Sequence, residues 1–156
     1  MVICSIDPGA SGAIAFVSDA GALVVIEDMP TLKVRGKTRV DAQRLGDMIA
    51  ARKPNLIVVE GVHAMPKQGV ASSFAFGYSA GLIEGVAAGA AIPCQIIDSA
   101  QWKRKAGVPA DKSAARQMAA RLWPGAAGQF SRVKDDGRAE AALLGRWYAV
   151  TQGVQS

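Results

Sequence analysis

Histidine is almost absent from this 156-residue chain, in which His63 stands alone. One isolated imidazole leaves no His-based triad to assemble, and no serine or tyrosine is placed as an obvious covalent nucleophile. The two cysteines, Cys4 and Cys94, lie in apolar, strand-like stretches without CxxC or Cys/His spacing. That excludes a structural zinc site and reads as two buried free thiols in a reducing compartment. Long apolar runs are also missing. The first stops at Asp7, so no signal peptide is read. The most apolar stretch, residues 74–91, carries Glu84 and four glycines and falls short of the ~20 apolar residues a spanning helix needs. A cytoplasmic location with no membrane partner is expected.

What the chain does have is a core and a positive balance. Half of its residues are hydrophobic, enough for one globular domain spanning residues 1–156. Lys and Arg number 18 against 13 Asp and Glu, which favours an anionic partner such as nucleic acid without requiring one.

Apolar runs at residues 2–6, 12–17 and 22–26, joined by short Gly-containing turns, read as three strands in an antiparallel meander. Residues 31–38, TLKVRGKT, read as an exposed basic loop. Helical spacing of Val40, Leu45, Met48 and Ile49 predicts a helix over 39–52, stopped by Pro54. A buried strand at 56–59 follows, then a loop over 62–72 and a long helix over about 73–90. In that helix Gly77, Gly81, Gly85 and Gly89 recur every fourth position and form one flat stripe. The stripe suits close packing, either on the chain's own sheet or on a second copy. A fifth strand is expected at 93–97, and helices at 111–122, capped by Asp111, and 136–151. The order predicts an α/β domain with a five-stranded mixed sheet and helices on both faces.

Asp7 closes the first strand and Glu60 closes the fourth. If those strands are parallel neighbours, both carboxylates leave the sheet at one edge, where ligands of open α/β sheets bind. Two such anions repel unless a cation holds them, and oxygen-only ligands select a hard ion such as Mg²⁺ or Mn²⁺. The last helix opens with Lys134-Asp135-Asp136-Gly137-Arg138-Ala139-Glu140. Asp136 and Glu140, four apart, share a helix face, while Asp135 points away from Glu140. Together the four acids could hold two ions ~3.5–4 Å apart. Taken singly, each acid has an ordinary role as a turn residue, a solvated strand end or a helix cap.

The segments ICSIDPGASGAIAF, LIVVEGVHAMPKQGVASSFAFGYSAGLIEGV, IDSAQWKRKAG, DKSAARQMAARLWP and KDDGRAEAALLGRW together resemble the RuvC-type Holliday junction resolvases, especially compact phage forms. They run in order over nearly the whole chain. The resemblance implies a ribonuclease H-like fold and a magnesium- or manganese-dependent endonuclease with two ions per site. It also implies a homodimer that cuts two strands of a four-way DNA junction. Asp7, Glu60, Asp136 and Glu140 match the family's metal-binding acids. The family's last pair is typically two Asp residues three apart, so the four-residue spacing here leaves Asp135 as an alternative to Asp136. His63 falls where bacterial members carry an aromatic wedge.

Lys103 and Lys112 match basic positions near the family's active site, which implies phosphate contacts beside the cut and a place for Lys112 in the catalytic set. Lys37, Lys67, Arg104 and Lys105 are further DNA-backbone candidates, with ordinary solvated lysine and arginine as the plain alternative. Met65, Phe74 and Phe76 are candidates to insert at a branch point, but for the two phenylalanines core packing is the leading reading. Competing functions are another ribonuclease H-like nuclease acting on other branched DNA or on RNA–DNA hybrids, an inactive junction-binding protein, and a nucleotide-binding relative of actin and sugar kinases. The last of these wants a second, duplicated half that 156 residues do not hold.

Overall fold

The computed structural model describes residues 1–61 and 69–152. The predicted meander forms as β1 (Val2–Asp7), β2 (Ala13–Ser18) and β3 (Leu23–Asp28). The segment read as a basic loop is instead a hairpin of β4 (Thr31–Val34) and β5 (Lys37–Val40), a separate two-stranded sheet. Its two-residue turn is Arg35-Gly36, both at positive φ, the geometry that matches strand twist. The charges of this segment obscured an alternation that was present.

Helix α1 (Ala42–Arg52) begins on the Asp41 cap, whose carboxylate accepts from the Arg44 amide, and ends at Lys53 in the left-handed conformation. Strand β6 (Leu56–Gly61), helix α2 (Val70–Gly89) and strand β7 (Cys94–Asp98) follow. A short helix missed in the sequence, α3 (Ser99–Ala106), starts directly off β7 on an Asp98 cap and stops at Gly107. Helix α4 (Lys112–Leu122) is capped by Asp111, two 3₁₀ turns follow, and α5 (Asp136–Gln152) closes the described chain. Among the described residues no helix is long and apolar enough to cross a membrane.

The main sheet has the order β3-β2-β1-β6-β7. β1 runs antiparallel to β2 and parallel to β6, and β6 runs parallel to β7. Side chains alternate across a strand, and the two cores divide accordingly. Cys4, Ile6, Ile57 and Val59 pack with Leu45 and Ile49 of α1 and Ile83 and Ala87 of α2. Ile3 and Val58 pack on the opposite face with α3, α4 and α5. The same alternation sends Asp7 and Glu60 to the α5 face. Both cysteines are free; Cys4 is buried and Cys94 half-buried.

Helix α5 lies unusually close to β1. Ser5 is fully buried, and its hydroxyl donates to the Ala141 carbonyl at 2.7 Å. Gly145 sits so near that a Cβ there would stand 2.4 Å from Ser5 Oγ and 2.8 Å from Val17 Cγ2. Gly145→Ala should therefore lower stability by roughly 1–3 kcal/mol, despite alanine's advantage in a helix interior. A lower urea midpoint with an unchanged slope is the expected readout.

Candidate metal centre and its cleft

The last registered pair of β1 and β6 is Ile6 with Val59. Asp7 and Glu60 are each one residue further on, at the carboxyl-terminal rim. Helix α5 crosses this rim, bringing Glu140 from above. Asp7, Glu60 and Glu140 each offer an oxygen, and these oxygens lie within 4.8 Å of one another. Close approach of backbone makes this possible. A Cβ on Gly12 would lie 1.9 Å from the Asp7 carbonyl oxygen, and one on Gly137 would lie 2.8 Å from the Ser11 carbonyl and 3.0 Å from Asp7 Oδ2.

The three acids line a cleft of about 1150 Å³ together with Asp136, Lys103, Lys112 and Lys134. Glu60, only 3% exposed, is gripped by α3. Ser99 Oγ donates to Glu60 Oε1 at 2.6 Å and Trp102 Nε1 donates to it at 3.3 Å. Lys103 Nζ lies 2.9 Å from the same oxygen and 3.2 Å from Glu140 Oε2. Positions 99, 102 and 103 share one helix face.

The electrostatics follow from this arrangement. Burial, then the negative charges of Glu140 and Glu60, push the Asp7 carboxyl well above its ordinary range. Burial and the Glu60 charge likewise push Glu140 up. Burial also pushes Glu60 upward, but hydrogen bonds from Ser99 and Lys103 outweigh it and hold Glu60 below its usual range. Burial opposes the charge on Lys103, yet its contacts with Glu60 and Glu140 win and raise it. Three crowded carboxylates against two ammonium groups, Lys103 in contact and Lys112 acting on Asp7, are thus an under-neutralised set. All the donors are hard oxygens, the set that suits Mg²⁺ or Mn²⁺.

Asp136 lies in the cleft but outside the group of three, bound to the guanidinium of Arg116 on α4. Asp135 is fully buried and is not among the residues lining the cleft. It accepts from the Arg132 amide at 2.8 Å and from the Arg132 guanidinium, which fixes the entry to α5. Burial opposes the charge, but the Arg132 hydrogen bonds are the larger effect and hold Asp135 below its usual range.

Lys112 is exposed at the first position of α4 and faces the cleft. Arg104 and Lys105 are exposed in the last turn of α3, and Lys37 is exposed on the hairpin, away from this cleft. His63, Met65 and Lys67 lie outside the described residues. Phe74 and Phe76 are not core residues, being 67% and 40% exposed. Helix α2 turns Ser79, Ile83 and Ala87 inward, so Phe74, Tyr78 and the glycine stripe face outward, whereas Phe76, seven residues before Ile83 and on its side of the helix, is left partly open where it lines the cleft. Ser99, Trp102 and Arg116 were not anticipated. The spacing of the first two, and of Arg116 four residues after Lys112, becomes readable only once α3 and the packing of α4 are known.

This sheet order, with α5 laid across the rim, is similar to that of solved Holliday junction resolvases. Three solved structures carry the likeness. RuvC of T. thermophilus in complex with Holliday junction substrate matches with 18% identity and a TM-score of 0.64, over 96% of each chain. The fowlpox virus Holliday junction resolvase matches with 16% identity and a TM-score of 0.64, over 97% of this chain and 99% of that one. The yeast mitochondrial Holliday junction resolvase matches with 14% identity and a TM-score of 0.63, over 94% and 77%. No protein-family model and no curated sequence matches the chain.

Proposed function

We propose that this chain is a divalent-metal-dependent endonuclease that cuts four-way DNA junctions, with residues 1–156 as one nuclease domain. The observation that carries the reading is the convergence of Asp7, Glu60 and Glu140 within 4.8 Å at the sheet rim, on a fold shared with resolvases. Asp7, Glu60 and Glu140 would hold one ion, Mg²⁺ or Mn²⁺. Asp136 would contribute to a second if Arg116 yields it. Bound ions of this kind supply the charge that activates a water and stabilises the departing 3′ oxygen.

The chain's own residues then have distinct roles. Ser99, Trp102 and Lys103 fix the Glu60 carboxylate by three donors on one oxygen. Such outer partners of metal ligands typically matter by about 10–100-fold. Ser99→Ala should therefore slow junction cutting by about that factor and raise the metal concentration needed for half-maximal rate. Lys112, on the cleft wall, would contact the phosphate beside the cut. Lys103, Arg104, Lys105, Lys37 and Lys67 would follow the DNA backbone, giving affinity that falls with salt. Asp135 enters as the residue that anchors α5 rather than as a metal ligand.

Symmetric cutting asks for two copies. The outward face of α2 offers the surface: Gly77, Gly81, Gly85 and Gly89 have open space where a Cβ would stand, which allows two such helices to approach closely. A dimer in sedimentation that is lost with Gly81→Glu is expected. The functional test is Mg²⁺-dependent cutting of a synthetic four-way junction, with matched duplex and RNA–DNA hybrid as controls. Preferential cutting of the hybrid would replace this reading with a different nuclease. Junction binding with no cutting in any divalent ion would leave an inactive binding protein.

A further inference from the structure

The β4–β5 hairpin gives little to the core, in which Val40 is its one buried residue. It forms a two-stranded sheet of its own, and a ribbon of that size is marginal without other support. Yet it carries Lys33, Arg35, Lys37 and Arg39, with no acidic residue between Asp28 and Asp41. Among the described residues no carboxylate forms an ion pair with any of these cations. Crowding of like charge on a small element works against folding, and a polyanion laid against it would offset that cost. Arg39 is turned back onto α2, its guanidinium 5.0 Å from the centre of the Tyr78 ring. The other three are exposed.

Their directions follow from the strand register. Lys33 stands opposite Thr38 and donates to its hydroxyl at 2.6 Å, while Lys37 stands opposite Val34. Opposed residues share a face and successive residues alternate, so Lys33 and Lys37 leave opposite faces. Arg35 sits between them in the tip turn, at a φ of 49°. An anionic membrane or an acidic helix would meet one face and leave the cation on the other unmatched. A duplex groove meets both, because a row of phosphates runs along each wall. A ribbon with side chains on both faces is about 10 Å thick, which suits the ~12 Å major groove and not the ~6 Å minor groove. Position agrees. Thr31, at the root of the ribbon, lines the cleft of acids beside Asp28 and Met29. At ~3.3 Å per residue, four residues carry the tip ~13 Å from that root, or about four base pairs along a duplex arm.

We propose that the β4–β5 ribbon enters, tip first, the major groove of a duplex arm beside the cut. Lys33 and Lys37 each meet the phosphates of one strand, with Arg35 between them. The proposal rests on the nuclease reading, which lays DNA over the acids. Backbone contacts of this kind fix the register and orientation of a duplex without reading its sequence. The ribbon thus aligns the arm with the acids.

The test compares the full chain with a variant carrying Lys33→Gln, Arg35→Gln and Lys37→Gln together, with Ca²⁺ replacing Mg²⁺ so that cutting is suppressed. For a four-way junction, the slope of log affinity against log salt should be shallower in the variant by about two to three. Its affinity at about 0.1 M salt should fall by on the order of tenfold. Arg35→Gln alone, at the exposed tip, should lower the slope by about one, which keeps the test open if the triple variant is unstable. Methylphosphonates, which remove the phosphate charge, are then placed singly along both strands of an arm. About four base pairs from the cut, they should weaken binding of the unmodified chain on either strand and leave the variant nearly unchanged. An unchanged salt slope would overturn the proposal. So would coupling confined to one strand, which would place the lysines outside the groove, or dissociation of the variant into monomers, which would assign the ribbon to contact between copies. The same coupling on a plain duplex, with no preference for junctions, keeps the groove contact and defeats the junction nuclease.

Discussion

An Asp7→Asn chain is expected to bind a four-way junction as well as the unmodified protein and to cut it on the order of a thousand-fold more slowly, about 4 kcal/mol of barrier. Asp7 meets Glu60 and Glu140 within 4.8 Å, so the exchange removes one of the three negative charges available to hold a cation. The amide is nearly the same size and fits the same floor beside Gly137. Binding should hold or tighten, because an anion facing the DNA backbone has been neutralised. The metal-free variant should also be more stable than the parent. Burial and two carboxylate neighbours raise the Asp7 carboxyl well above its ordinary range, so its charged form is unfavourable in the fold, and the neutral amide relieves that. Gel-shift titration, single-turnover cutting and thermal melting read the three effects separately. Loss of junction binding together with cutting would mean that Asp7 supports the fold rather than the reaction.

Adding Mn²⁺ to the metal-free chain should raise its thermal midpoint by roughly 5–10 °C at a hundredfold excess over the dissociation constant. The rise should be larger near about pH 8 than near about pH 5.5, because protons and the ion compete for the same oxygens. The sign follows from the shifts. Asp7 and Glu140 have raised values in the fold, so the metal-free fold loses stability as pH climbs out of the ordinary carboxylate range through those values. A bound cation offsets that loss and is most effective where the protons have gone. Glu60, held low by Ser99 and Lys103, stays charged throughout and adds no such dependence. A midpoint indifferent to divalent ions at every pH would remove the metal centre.

The parts of this site that could be read from sequence are those set by local periodicity. Asp7 and Glu60 each follow an apolar strand, and a period of two fixes which face they take once β1 and β6 are neighbours. Glu140 follows from helical spacing. The fate of Asp136 could not be read, because its partner Arg116 arrives from another helix through tertiary packing. Asp135 reads as a plausible ligand in a run of acids until the 3₁₀ turn before α5 folds Arg132 back onto it. Helix α3 escaped notice because eight mostly polar residues directly after a strand carry almost no apolar rhythm. The β4–β5 ribbon was hidden by its charges, although Arg35-Gly36 is a serviceable tight turn. Core packing of Phe74 and Phe76 is the natural reading of aromatics in an apolar helix; the rotation of α2 about its axis reverses it for Phe74, and Phe76 borders the cleft of acids instead of the core.

Helix α3 is only eight residues long and joins β7 without a linker, yet it carries three of the groups that steady Glu60. Each residue advances a helix by about 100°. One residue inserted or deleted at that junction would swing Ser99, Trp102 and Lys103 out of phase together, whereas exchanging any one of them leaves the other two in place. A change of identity at one of these positions therefore costs one contact to Glu60, whereas a change of length at the start of the helix costs all three.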